Sequence, residues 1–159
     1  MKLIAIILLF TSTLGFSQSS SDSLLKIFHT KDVFYPEVIK ADILKRINDN
    51  RIKMGLGTLT LRDDLSKYSQ NHSNRMILTK SYEHSGTTCD CTGEVINGYE
   101  VKIYSHHSVD SRATVGAWTH SEPHADIIYK QEAKYCGIGI SDGYWNGMLV
   151  TYFVLVTDN

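Results

Sequence analysis

The sequence has almost no excess of charge of either sign: 16 lysines and arginines face 17 aspartates and glutamates, a formal net charge of −1. Such a balance gives no electrostatic reason to bind nucleic acid or an anionic membrane. Long apolar runs are lacking beyond Leu3–Phe10, and nothing later approaches the roughly 20 residues needed to span a bilayer as a helix. No internal repeat or low-complexity array is present, which excludes solenoid and fibrous classes. Several enzyme motifs are missing too. Neither Ser85 nor Ser121 sits in a Gly-x-Ser-x-Gly elbow, and no glycine-rich loop is laid out to cradle phosphates. His-Ser-Glu-Pro-His at 120–124 is not the metalloprotease order, which needs glutamate directly after the first histidine.

Cysteine is scarce. Cys89, Cys91 and Cys136 are an odd number, and a bond from Cys136 to either Cys89 or Cys91 is the preferred expectation in an oxidising compartment. A Cys89–Cys91 ring would be tight and strained, and Cys-x-Cys is a weak zinc spacing. Cys136 lies in a predicted strand with no basic neighbour to stabilise a thiolate, which argues against a nucleophile.

What is present reads as one globular domain: apolar residues make up 42% and charged residues 21% of 159, an ordinary mixture for one domain. Lys2, the apolar run and small residues around Gly15-Phe16-Ser17 have the layout of a secretory signal peptide over residues 1–17. Without Lys2 the balance is 15 basic against 17 acidic residues, a net −2. Residues 18–34 read as a polar N-terminal segment with a short helix over Leu24–His29, and 35–159 as the domain, of a size that needs no staples.

Within it, Val38, Ile39, Ile43, Leu44 and Ile47 recur at helical spacing, predicting a helix from Glu37 to Met54 ended by Gly55 and Gly57. A second helix is expected over Asp64–Thr79, with Leu65, Tyr68, His72, Met76 and Leu78 facing the core; His72 reads as a satisfied core histidine rather than a ligand. Glu94–Ile96 reads as a short strand stopped by Asn97-Gly98, Val109–Thr119 and Pro123–Lys130 as helices. Tyr135–Ser141 and Met148–Thr157 form a hairpin across Asp142–Gly147. Helices first and strands last imply an α+β fold, helices packed on an antiparallel sheet.

The densest group of ligand-type side chains is Trp118–Ile128. With Tyr82–Ser85 and Gly93–Ile96 it offers His84, Glu94 and His124, two imidazoles and a carboxylate suited to a divalent cation such as Zn²⁺ with a position left open. His106-His107 reads as a solvated loop.

These segments, in order, resemble the CAP superfamily (cysteine-rich secretory proteins, antigen 5 and plant pathogenesis-related proteins), especially its bacterial SCP-domain members. Asn48-Asp49-Asn50-Arg51 with Gly55-Leu56 matches an Asn-x-x-Arg and Gly-Leu pattern. Leu59, Leu61, Leu65, Tyr68-Ser69, His72-Ser73 and Met76 follow the family's second helix. His84, Gly93-Glu94, Trp118-x-x-Ser121-x-x-His124 and Gly137-Ile138-Gly139 complete the match.

The resemblance implies a three-layer α-β-α sandwich with a central antiparallel sheet and a cleft lined by His84, Glu94 and His124, with Ser121 and Glu122 beside it. It implies a secreted or periplasmic, non-enzymatic binding domain for a small, lipid-like ligand or an extracellular protein surface. The same cleft could serve a metal-dependent hydrolase, or be only a structural polar network. Two departures bear on the metal: Ser121 stands where many members carry a second acid, leaving Glu122 or His120 as substitutes, and Val95 replaces the usual asparagine.

Overall fold

A computed structural model describes residues 35–85, 93–102 and 111–159, and of 95–102 the backbone alone. The expected signal peptide, the polar segment, Cys89, Cys91 and His106-His107 lie outside the described residues.

Pro36, whose fixed φ suits a first turn, opens α1 (Pro36–Lys53). Ile39, Ile43 and Ile47 line one face, and Ile43 and Ile47 are wholly buried. Val38 projects from the opposite side and is exposed. The helix ends in a Schellman motif: Leu56 N–H donates to the Arg51 carbonyl (2.9 Å) and Gly55 N–H to that of Ile52 (3.0 Å). Gly55 takes φ 74° there, a conformation that favours glycine.

A two-residue strand β1 (Thr60–Leu61) leads into α2 (Asp63–Thr79), whose first turn carries Asp63 and Asp64 at the positive end of the helix dipole. Its buried face is Leu65, Ser69, His72, Ser73 and Met76. Leu78, expected on that face, is 82% exposed. The serines replace it because α2 lies almost on the backbone of β3 (Tyr135–Trp145). A Cβ on Gly139 would stand 2.1 Å from the Ser69 carbonyl oxygen, and one on Gly137 2.1 Å from the Leu65 carbonyl carbon.

β3 turns into β4 (Met148–Asp158) through Asn146-Gly147, with φ of 51° and 77°. Positive φ at both positions defines the type I′ hairpin turn. The connection is therefore two residues and not Asp142–Gly147, and the ladder runs out to Trp145↔Met148.

On the far side of β4, β2 (Gly93–Lys102) pairs antiparallel along its whole length. The expected stop at Asn97-Gly98 does not occur: those residues pair with Phe153 and Tyr152 of the long β4 template. β1 joins β3 in parallel, Leu61 opposite Cys136, so the sheet is mixed, in the order β1-β3-β4-β2. The helices α3 (Ser111–Thr119) and α4 (Glu122–Ile128) complete the described elements, α4 ending before the expected Lys130.

The α+β fold is layered. Val150, Tyr152, Val154 and Val156 of β4 face α2, while Phe153 and Leu155 face the core formed with α1, α3 and α4. Buried on both faces, β4 reads as a continuous apolar run rather than an alternating one, and each fully buried aliphatic side chain contributes about 1.5–3 kcal/mol. Cys136, expected in a disulfide, is a free thiol. It points into the core shared with Ile43, Ile47, Ile138 and Leu155, where burial pushes its pKa up to about 12 against the partial offset of Arg51.

Candidate functional site

Glu94 is the second residue of β2 and pairs with Val156, so it shares the sheet face that α2 covers. There its Oε1 accepts from Nδ1 of His72 at 2.6 Å. The other ring nitrogen of His72 lies 2.9 Å from the Glu83 carbonyl oxygen. Both partners are acceptors, so each of them is suited to a ring N–H. His72 is thus the buried, satisfied histidine expected from its place on the helix. Its grip on Glu94 was not legible in the sequence, because 22 positions separate the two.

The second oxygen, Oε2, accepts from the Ser85 amide at 3.1 Å and lies 3.5 Å from Nδ1 of His84. His84 owes its position to its neighbours. Tyr82 stacks on Tyr152 with ring centroids 5.6 Å apart. The Glu83 carbonyl is held by His72, and the Ser85 carbonyl accepts from Arg75 at 3.0 Å. Tyr68 hydroxyl and Ser85 hydroxyl are hydrogen-bonded to one another. The segment is pinned on both sides of His84, whose own ring is 60% exposed.

His124 arrives from the other face of the sheet. Gly93 lets α4 approach β2: a Cβ there would meet Ile127 Cγ2 at 2.8 Å. Burial pulls the pKa of His124 below its usual 6.5, and the charge of His84 adds to the effect. At neutral pH its imidazole is unprotonated, the form that can act as a ligand. Glu94 is tuned in the opposite sense by two competing effects. Burial raises its pKa, but hydrogen bonds from His72 and the Ser85 amide, with the charges of His72 and His84, outweigh it and hold the carboxyl below the usual value.

Of the three sequence-predicted residues, His84 and Glu94 stand together, Nδ1 of His84 lying 3.5 Å from the carboxylate, while His124 makes no hydrogen bond or ion pair with either of them. Among the described residues, no group of three His, Cys, Asp or Glu side chains is placed to hold a metal ion. His84 and Glu94 fit as two donors. The remaining predicted residues make no hydrogen bond or ion pair with His84, Glu94 or His124. Ser121 sits at the N-cap of α4 without a side-chain cap bond, and Glu122 is exposed in the first turn. His120 is exposed, and its Nδ1 donates to the Gly116 carbonyl at 2.7 Å, which places it at the end of α3 rather than in the cleft.

On the α2 side of this network lies a recess of about 260 Å³ lined by Tyr68, Asn71, His72, Arg75 and Ser85. Sequence reasoning did not find it. The spacing of 68, 71, 72 and 75 along one helix flank is visible only once the buried face of α2 is known.

A family model described as the cysteine-rich secretory protein family, CAP, matches residues 44–156. An outer surface protein of Borrelia burgdorferi has a similar fold, with a TM-score of 0.57 at 15% identity over 79% of this chain and 96% of that one. MpPR-1i superposes with a TM-score of 0.60 at 19% identity, over 79% of this chain and 90% of that one. BmVAL-1 gives 0.52 at 14% identity over 79% of each. Among curated proteins no sequence matches.

Proposed function

This chain belongs to the cysteine-rich secretory protein (CAP) family, and from that premise we propose that it is a secreted, non-enzymatic binding domain. It presents a polar cleft of His84, Glu94 and His124 to a small ligand or protein surface and takes up a divalent cation there only weakly. The observation that carries this reading is the state of Glu94. A general base works best with a pKa near the operating pH, whereas Glu94 is held below the ordinary glutamate value by His72, the Ser85 amide and His84. Both of its oxygens already accept hydrogen bonds. Such a carboxylate suits a fixed negative pole better than a proton shuttle. The buried, protonated Cys136 offers no nucleophile in its place.

Weak cation binding follows from the donor set. His84 and Glu94 supply two donors 3.5 Å apart, no third His, Cys, Asp or Glu among the described residues completes a set with them, and Ser121 stands where the family resemblance would put a second carboxylate. A cation bound there would act as an electrostatic anchor for a ligand oxygen. Secretion accords with the apolar N-terminal run; no described helix is long and apolar enough to cross a membrane.

Thermal unfolding of the metal-stripped protein, with and without Zn²⁺, tests the cation. A ligand specific to the folded state stabilises by about 2.7 kcal/mol at a hundredfold excess over Kd. A rise in wild type only at high zinc, abolished in His84→Ala/His124→Ala, is expected, as is no turnover of peptide, ester or glycan substrates. Hydrolysis lost both on chelation and in Glu94→Gln would overturn the non-enzymatic reading.

A further inference from the structure

The recess beside Tyr68 adjoins the proposed cation site through His72 and Ser85, which hold Glu94, but none of His84, Glu94, His124, Ser121 or Glu122 lines it. One flank of α2 forms most of its wall, since Tyr68, Asn71, His72 and Arg75 follow at i, i+3, i+4 and i+7. Arg75, partly buried, spends one N–H on the Ser85 carbonyl and has no acidic partner among the described residues. A guanidinium carries five N–H donors in a planar fork, so four remain. The carboxylate held by two of the lining residues, Glu94, already accepts from His72 and the Ser85 amide. Asn71 adds an exposed side-chain amide that has no hydrogen bond among the described residues. Among the described residues, then, a cation without a counterion and a spare amide face one concavity, beside an aromatic ring.

We propose that this recess binds the carboxylate group of a small organic acid, with Arg75 as the charged fork, Asn71 as the second donor and the Tyr68 ring against the acid's apolar body. Arginine pairs with carboxylates through two parallel N–H···O bonds. One uncompensated positive charge matches a monoanion; a phosphate dianion would leave excess negative charge beside Glu94. The volume of about 260 Å³ lies just under the ~300–1,000 Å³ of pockets for drug-sized ligands, so the acid is small.

The test is an NMR titration of ¹⁵N-labelled protein with benzoate, benzamide and inorganic phosphate. Benzoate is expected to move the Arg75 Nε–H and the Asn71 side-chain amide saturably, and benzamide, the neutral isostere, to leave them in place. Arg75→Gln should weaken benzoate at least tenfold. Asn71→Asp, at an exposed position, should do the same by repulsion with an unchanged melting temperature, which separates loss of binding from loss of fold. Equal binding of benzamide, tighter binding of phosphate, wild-type affinity in Asn71→Asp, or no saturable shift with benzoate would each overturn the proposal.

Discussion

A carboxylate that accepts from a histidine ring N–H and a peptide N–H at once is stabilised as an anion, and that stabilisation has a pH signature. Glu94 has its folded pKa below the usual 4.5, so the unfolded chain takes up its proton first as pH falls. Its contribution is complete above 4.5 and is lost as pH drops through that value toward the folded pKa. His124, lowered from 6.5 by burial and then by His84, works in the same sense: its share is present above 6.5 and fades below it. Stability measured by urea unfolding should thus decline from pH 7 downward in two stages, and Glu94→Gln should remove the lower stage while leaving the upper. An unchanged acid limb in Glu94→Gln would show that the network contributes nothing at this position. Also at the residue scale, the Cys136 thiol, pushed up to about 12 by burial despite Arg51, should resist iodoacetamide at neutral pH until denaturant is added. Peptide mapping that finds Cys136 alkylated in the native protein, or disulfide-bonded, would contradict the buried free thiol.

Among the elements, the contact of α2 with β3 is the most demanding. Its closeness rests on Gly137 and Gly139 opposite the backbone of Leu65 and Ser69, where an added Cβ would stand within 2.1 Å. Backbone cannot swing aside as a flexible side-chain tip does, so the helix must lift. Gly139→Ala should therefore destabilise by about 3 kcal/mol, the upper part of the range for overpacking, seen as a lower denaturation midpoint at an unchanged m-value. Because the lift would also move His72 away from Glu94, the acid dependence described above should weaken in the same variant. A change below about 0.5 kcal/mol, the scale of ordinary surface substitutions, would mean that the helix adjusts without cost. A further closure on this side is made by Gln70, whose amide both donates to and accepts from the backbone of Ile140 (2.8 and 3.2 Å). Past the end of short β1, this side chain occupies hydrogen-bonding positions on β3 that a neighbouring strand would fill.

For the molecule as a whole, one buried arginine joins distant parts of the chain. Arg51 donates to the carbonyls of Gly57, Ile128, Lys130 and Ala133 at 2.6, 2.5, 3.1 and 3.0 Å, with no exposure of its own. Three residues earlier on the same helix, Asn48 does the same for one residue, exchanging two hydrogen bonds with the Leu59 backbone. Together they fasten α1 to the segments that enter β1 and β3. Arg51→Met, which keeps bulk but removes the donors, should cost at least about 1–3 kcal/mol, the scale for leaving a buried carbonyl without its partner. Calorimetry or urea unfolding reads this directly, and a loss under 1 kcal/mol would rule out the clamp as a main support.

Much of this architecture was legible from local pattern. The stripe through Ile39, Ile43 and Ile47, the glycine after α1 and the apolar run of β4 each follow from short-range chemistry, and the ordered motifs pointed to the family before any coordinates. Local signals failed where a neighbour overruled them. Asn97-Gly98 has turn chemistry, but the long β4 template holds it in a ladder. Leu78 has a core side chain, but α2 turns its serines to the sheet because two glycines allow the closest approach there. The identities of His84, Glu94 and His124 could be read from sequence because residue type limits which groups can bind a cation or accept a proton. The contact of His84 with Glu94, the grip of His72 on Glu94 and the place of Arg75 beside a recess were decided only by the fold, because each depends on which face of a strand meets which flank of a helix.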